Sequence, residues 1–159
     1  MPHKERLGLG RSLKVLHMLV YRLFHAQRAY LRPHIVELGM GPGQPKLLVY
    51  VALNGAANQR EVADFFEMDP ATACRMLDSL EKSGFVRSRQ GADRRRKEYA
   101  VTEAGLAAAR AWEERCDDEA EVLLDGFSQE EREQFRAFLA RGYENLARAA
   151  RGEEGGEAR

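Results

Sequence analysis

The chain has 159 residues, of which 44% are apolar and 31% charged, and its 25 basic residues are balanced by 25 acidic ones. These proportions are typical of a soluble globular protein with one domain, or one domain and an appendage, and no apolar run approaches the roughly 18 residues that span a membrane. The basic N-terminus lacks the apolar core of a signal peptide, and two distant cysteines make no disulfide framework, so we expect a cytoplasmic protein with no membrane partner.

The balanced total conceals an uneven distribution of charge. Residues 1–36 contain seven basic residues and one acidic residue, and residues 85–100 contain six basic and two acidic ones. Residues 113–135, by contrast, contain ten acidic and two basic residues. This segregation favours a basic surface that faces a polyanion, with the acidic segment kept away from it.

The first half of the chain is predicted to be helical. Apolar residues from Leu13 to Ile35 recur at helical spacing, and the glycines and prolines of ELGMGPGQP end that helix. The next segment, KLLVYVAL, fits either a short buried helix or a buried strand by periodicity alone. The helices that follow favour a helix here too, closed by Asn54 and Gly55.

Two capped helices come next. Asn58 and Glu61 have the spacing of a capping box, while Asp69 and Pro70 begin a second helix over residues 70–83. We expect the apolar stripe of this second helix to be buried; it comprises Ala73, Met76, Leu77 and Leu80. The opposite face is predicted to present Ala71, Arg75, Asp78 and Lys82, flanked by Thr72, Cys74 and Ser79.

The pattern then changes to that of a β-hairpin. FVRSRQ and KEYAVT are rich in β-forming residues, and GADRRR between them contains the glycine and aspartate of a turn. The basic run Arg94, Arg95, Arg96 and Lys97 is therefore predicted at the tip of a hairpin.

Two further helices complete the chain. Thr102 is a suitable N-cap for a long helix with apolar positions such as Leu106 and Trp112, and Ser128 and Glu131 form a second capping box before the last helix. The predicted fold is mainly α with a small β-hairpin wing: a winged helix-turn-helix over residues 41–102, flanked by dimerisation helices within residues 1–40 and 103–150. Residues 151–159 lack apolar side chains and are predicted to be disordered. The long helices carry more apolar surface than the small module can cover, so we expect an obligate homodimer.

In a helix-turn-helix, the N-terminal residues of the second helix face the base edges of the major groove. Arg75 suits guanine or a phosphate, and the small Ala71 suits close approach or a thymine methyl group. An arginine of the hairpin tip, at residues 94–96, is expected in the adjacent minor groove. Asp93 is repelled by phosphate and is better placed to orient Arg95 across the turn.

The stretch from GQPKLLVYV to the end of AVTEAG resembles the winged-helix core of the MarR family (multiple antibiotic resistance regulators). The most specific part is the wing DRRRKEYAVTEAG, and the similarity extends over about residues 12–150. The resemblance implies a cytoplasmic, dimeric DNA-binding regulator, expected to be a repressor, with a wing at residues 87–97. Asp93 and Arg95 match the family's wing pair, and Arg75 matches its recognition-helix arginine.

The resemblance also sets the predicted contacts and partners. The predicted DNA-binding residues are Ala71, Thr72, Cys74, Arg75, Ser79, Arg94, Arg95 and Arg96, with Asp93 as wing support. Cys74 departs from the Ser or Thr that is usual at its position, and a thiol is a weaker donor. The resemblance implies double-stranded DNA as a partner and a small amphipathic or phenolic effector of the kind that family members bind, although the sequence does not identify one.

Other functions are disfavoured by the residues. No nucleophile with a base, phosphate loop or paired acids is recognisable, so an enzyme is not expected, nor is a cofactor. His17 and His25 are too far apart along one helix to share a metal, and no metal site is predicted. Cys74 is interpreted as an ordinary small side chain in preference to a redox switch. The alternative function is a winged-helix protein-interaction module. The cationic wing argues against this alternative, because protein interfaces tend to be depleted of such charge.

Overall fold

A computed structural model describes residues 15–91 and 97–152. The elements, in chain order, are α1 (Leu16–Glu37), α2 (Gln44–Asn54), β1 (Ala56–Asn58), α3 (Gln59–Phe65), α4 (Pro70–Lys82), β2 (Val86–Gln90), β3 (Lys97–Val101), α5 (Glu103–Leu123) and α6 (Gln129–Ala150). The predicted class, mainly α with a small β wing, is confirmed. Predictions for the wing tip at residues 92–96 and for the tail beyond residue 152 lie outside the described residues.

The sheet has one more strand than the predicted hairpin. Strands β2 and β3 pair antiparallel from Val86 opposite Val101 to Gln90 opposite Lys97. The short strand β1 pairs with the other edge of β3, which gives the order β1-β3-β2. Three residues between two helices are too few to show alternation, and for this reason the sequence did not reveal β1.

Helices α3 and α4 begin at the predicted caps. The Asn58 side chain accepts the backbone N–H groups of Arg60 and Glu61, and the Glu61 carboxylate accepts the N–H of Asn58 in return. Asp69 accepts the N–H of Thr72, and Pro70 occupies the first turn of α4. Both capped helices pack into one apolar core that also includes α2 and the sheet; its fully buried residues include Leu47, Leu48, Val51, Val62, Leu77, Leu80 and Tyr99.

The start of α5 is joined closely to the end of α4. The Thr102 hydroxyl accepts the N–H of Gly105 and lies within hydrogen-bonding distance of the carbonyl oxygens of Gly84 and Phe85. A Cβ on Gly105 would clash with the Phe85 carbonyl, so only glycine permits this approach. Thr102 therefore acts as the predicted cap.

The buried face of α5 differs from the predicted stripe. Leu106 is exposed, whereas Gly105, Ala108, Ala109 and Trp112 are buried. The predicted stripe is confirmed at Trp112 and is wrong at Leu106, because the close approach at Gly105 turns small residues, and not Leu106, inwards.

The described residues form two compact units, the first extending to Glu119 and the second beginning at Ala120. Within the first unit, α1 leaves most of its apolar residues exposed, Leu16, Leu19, Val20 and Phe24 among them. Within the second unit, α6 begins at the predicted Ser128–Glu131 capping box. It likewise leaves Phe138, Leu139, Tyr143 and Leu146 exposed.

Candidate nucleic-acid interface

Helix α4 presents a polar surface because its apolar stripe is fixed in the core. Ala73, Leu77 and Leu80 have no solvent exposure, as predicted. Ala71 and Arg75 are exposed in the first turns of the helix. The other predicted contact residues of α4, Thr72, Cys74 and Ser79, are half-buried at the sides of this surface.

Arg75 is oriented by a short chain of hydrogen bonds. Its Nη2 atom donates to Oγ1 of Thr72 at 2.9 Å, and the Thr72 hydroxyl lies 3.2 Å from Oδ2 of Asp69, the cap of the helix. No salt bridge joins Arg75 to a carboxylate anywhere in the described parts of the chain. The guanidinium therefore keeps most of its donors available while its Nη2 atom is held by Thr72 in the first turn of the helix.

The two arginines of β2 differ in their ionic contacts. Arg89 of β2 lies opposite Glu98 of β3, and its Nε atom donates to that carboxylate at 3.3 Å. Arg87 is exposed and makes no salt bridge within residues 15–91 and 97–152. The predicted contacts Arg94, Arg95 and Arg96, with the supporting Asp93, are not among the described residues, so their roles stay predictions.

A polar cluster that sequence reasoning missed connects α4 to the wing. We call Asp78, Glu81, Lys97 and Tyr99 the helix–strand cluster. The Tyr99 hydroxyl donates to Oδ1 of Asp78 at 2.6 Å, and Nζ of Lys97 lies 3.2 Å from the same oxygen. Nζ of Lys97 also lies 3.0 Å from Oε2 of Glu81 and 4.6 Å from the centre of the Tyr99 ring.

This cluster corrects the prediction for Asp78. The helical wheel placed Asp78 on the face opposite the core, together with Arg75, but its carboxylate is half-buried against β3. A wheel drawn for α4 alone does not show where the sheet covers the flank of the helix. Two features of the sequence could have indicated the cluster. Asp78 and Glu81 are three residues apart on α4, and Lys97 and Tyr99 are two residues apart and so lie on one face of β3.

The environment shifts the acid–base properties of the cluster. The Tyr99 hydrogen bond lowers the pKa of Asp78, and Lys97 lowers it further. Hydrogen bonds from Ser88, followed by Lys97, lower the pKa of Glu81. The hydrogen bond to Glu81 raises the pKa of Lys97, while burial and the bond to Asp78 raise the pKa of Tyr99 to about 12. At neutral pH the cluster therefore contains two carboxylates, one ammonium group and a neutral phenol.

Cys74 lies beside this cluster. Its Sγ atom donates to Oδ2 of Asp78 at 3.6 Å. Burial, and then the negative charge of Asp78, raise the pKa of the Cys74 thiol. Since the thiolate is the reactive form, these surroundings disfavour a redox role and agree with the interpretation of Cys74 as an ordinary side chain.

Sites for other ligands are sparse in the described residues. No three His, Cys, Asp or Glu side chains converge there as metal ligands, and no described helix is long and apolar enough to cross a membrane. One shallow groove lies within the second unit, lined by Phe127, Phe135 and Phe138 with three polar or small neighbours. Its lining is mainly aromatic and does not identify an effector.

Comparison with known proteins relates this architecture to a family. Residues 42–97 match the model of the MarR family. The chain is 29% identical over 113 residues, 70% of its own length and 75% of the relative's, to YybA, an uncharacterized HTH-type transcriptional regulator of Bacillus subtilis (strain 168).

Solved structures agree with this assignment. The crystal structure of MarR superposes with a TM-score of 0.76 at 28% identity, covering 87% of this chain and 95% of the other. A MarR family transcriptional regulator from Listeria monocytogenes, solved with a 26mer DNA, superposes with a TM-score of 0.78 at 22% identity, covering 90% and 99%. The chain therefore resembles the MarR family of transcriptional regulators, in sequence over residues 42–97 and in fold over most of its length.

Proposed function

We propose that the protein is a homodimeric repressor that binds a pseudo-palindromic operator. Each α4 enters the major groove, and each wing reaches the neighbouring minor groove with an arginine from residues 94–96. The two half-sites lie about one helical turn apart, since a two-fold dimer presents its recognition helices at that spacing.

The observation that carries this proposal is that Arg75 is exposed and has no acidic partner among the described residues. It lies near the start of α4 and is oriented by Thr72. An arginine that is neither paired nor covered suits a guanine edge or a phosphate. The neighbouring Ala71 leaves room for the close approach that base contact requires.

The wing strands support the second half of the interface. The antiparallel register of β2 and β3 brings Gln90 opposite Lys97, so the intervening residues 91–96 connect two paired strands at one end of the sheet. This segment contains three consecutive arginines. This positive charge suits the negative potential of a minor groove. The regulator from Listeria monocytogenes that shares this fold was solved with a 26mer DNA, which supports DNA binding by this chain.

The exposed apolar faces of α1 and α6 support a dimer. Both helices leave several large apolar residues open to solvent within a single chain, and patches of this kind on a monomer mark interaction sites. A second copy supplies the same faces in a closed, two-fold arrangement.

Fluorescence anisotropy with the DNA flanking the protein's own gene, and with an unrelated duplex, tests DNA recognition. We expect tight binding to the flanking DNA that weakens as salt rises, because phosphate contacts release counterions. Arg75→Ala is expected to reduce affinity about tenfold or more and to relax specificity. Arg115→Ala, which removes an arginine paired with Asp118 on α5, is the matched control and is expected to bind normally.

The same assay tests the wing and the effector. Arg95→Ala is expected to weaken operator binding severely while the dimer stays intact; unchanged binding would refute the wing assignment. Phenolic and other amphipathic compounds are screened for release of the DNA, and increased reporter transcription after deletion of the gene is the result expected for a repressor. Absence of salt-dependent binding to any duplex would favour a protein-interaction module instead.

A further inference from the structure

Helix α4 carries two carboxylates that contact the sheet. Asp78 accepts the hydroxyl of Tyr99, and Oε1 of Glu81 accepts the backbone N–H of Ser88 at 2.6 Å. Ser88 belongs to β2, and Tyr99 belongs to the central strand β3. One face of the recognition helix is therefore hydrogen-bonded to both strands of the wing.

Lys97 lies between these carboxylates. It is the last residue of the four-residue basic run, but its ammonium group is within 3.2 Å of Asp78 and 3.0 Å of Glu81. Two negative charges more than compensate its single positive charge. A phosphate approaching Lys97 would also approach both carboxylates, so Lys97 is poorly suited to binding DNA.

The cluster is close to the residue that would read the bases. Asp78 follows Arg75 by three residues, about one turn of α4. A rotation of α4 on the sheet would redirect Arg75, and the bonds from Asp78 and Glu81 to two strands oppose that rotation. The same bonds fix Lys97, which adjoins the arginines of the wing.

We propose that Asp78, Glu81 and Lys97 are positioning residues for DNA recognition. Their contacts hold α4 in one rotational orientation relative to the wing strands β2 and β3. Lys97 serves this function through the two carboxylates and does not neutralise phosphate. The inference rests on the proposed function, because it concerns how the same two elements are presented to DNA.

Replacing an acidic residue of α4 distinguishes two explanations. A purely electrostatic effect and a positioning effect predict opposite changes in the affinity for the operator. If only charge matters, Glu81→Ala makes the surface more positive and strengthens binding to every duplex. If Glu81 positions α4, the same change weakens binding to the operator about tenfold and leaves the affinity for an unrelated duplex equal or higher. Asp64→Ala is the matched control, since Asp64 is an exposed carboxylate of α3 whose ionic partner is Arg60.

Lys97→Gln provides an independent variant at a side chain that is 48% exposed. We expect weaker operator binding with an unchanged slope of log affinity against log salt, and recovery in Lys97→Arg, whose guanidinium can also pair with two carboxylates. A phosphate contact would instead lower the slope by about one per subunit and weaken both duplexes alike. That result would overturn the proposal.

Hydrogen exchange of the Ser88 amide, followed by NMR in the free protein, shows whether the contact is broken in a folded chain. We expect faster exchange in Glu81→Ala than in Asp64→Ala. If the wild-type protein binds no duplex, the proposed function fails. If the wild type binds its operator and Glu81→Ala behaves like Asp64→Ala, the positioning inference alone fails.

Discussion

In the winged-helix module, Leu47, Leu77 and Leu80 have no solvent exposure, whereas Leu16 of α1 is 72% exposed and Leu146 of α6 is 75% exposed in the same chain. The core of the module is closed within one chain, because α2, α3, α4, the sheet and the first turns of α5 enclose it. Helices α1 and α6 have similar apolar residues without a comparable enclosure. The difference shows that the core of the module is complete within one chain, whereas the apolar faces of the terminal helices are left uncovered by it.

The largest expected effect is the loss of stability when a side chain in the core of the module is truncated. Leu77→Ala removes a fully buried side chain and should lower the free energy of unfolding by about 2–5 kcal/mol through lost burial and a cavity. Thermal and urea denaturation measure it. Leu53→Ala, at a leucine of α2 that is 81% exposed, is the control and should change the free energy by less than about 0.5 kcal/mol; equal effects would contradict the described core.

A charge on the exposed face of α6 should weaken the proposed dimer. If α6 forms the proposed dimer interface, Leu146→Glu is expected to raise the dimer dissociation constant at least tenfold, since a carboxylate would be buried there without a partner. Sedimentation equilibrium measures the dissociation constant, with Glu144→Gln on the same helix as control. A stable dimer in Leu146→Glu would show that the α6 face is not the interface.

The helix–strand cluster should make stability depend on alkaline pH. The pKa of Tyr99 is raised to about 12, and that of Lys97 is raised as well, so folding favours their protonated forms. Their stabilising contribution is complete below the unfolded values near 10 and is lost as pH rises through the folded values. Urea titrations at pH 8 to 11 should show a smaller loss in Tyr99→Phe than in the wild type, and identical losses would remove Tyr99 as the cause.

Acidic pH should act on the same cluster through its carboxylates. The pKa values of Asp78 and Glu81 are lowered on folding. Their contribution is therefore present above the unfolded values near 4 and is lost as pH falls through the folded ones. Asp78→Asn should reduce the loss of stability between pH 5 and 3 in urea titrations, and an unchanged loss would remove Asp78 as its cause.

The smallest effect is expected at the cysteines. Cys74→Ser keeps a donor for Asp78 and should change operator affinity by less than about twofold, because the Cys74 thiol has a raised pKa and is mainly protonated. Burial raises the pKa of Cys116 in α5 to about 11. Alkylation rates of both thiols at pH 7 should be slower than that of free cysteine, and fast alkylation of Cys74 with loss of DNA binding would restore the redox hypothesis.

Local signals in the sequence determined where most elements begin. The capping residues Asn58, Asp69 and Ser128 act on N–H groups two or three positions away, so their effect is readable in a short segment and is found as predicted. The buried stripe of α4 follows from helical periodicity alone. The basic run and the wing pattern indicated the resemblance to the MarR family before any contact was known.

Only the tertiary structure decided which elements pair and which side chains meet between them. Strand β1 exists because β3 offers it a free edge, and Leu106 is exposed because Gly105 brings the start of α5 against the Phe85 carbonyl. Asp78 and Lys97, nineteen residues apart in the sequence, meet because α4 packs beside β3. Periodicity describes one element at a time, whereas pairing of charges and strands depends on distances between elements that are remote along the chain.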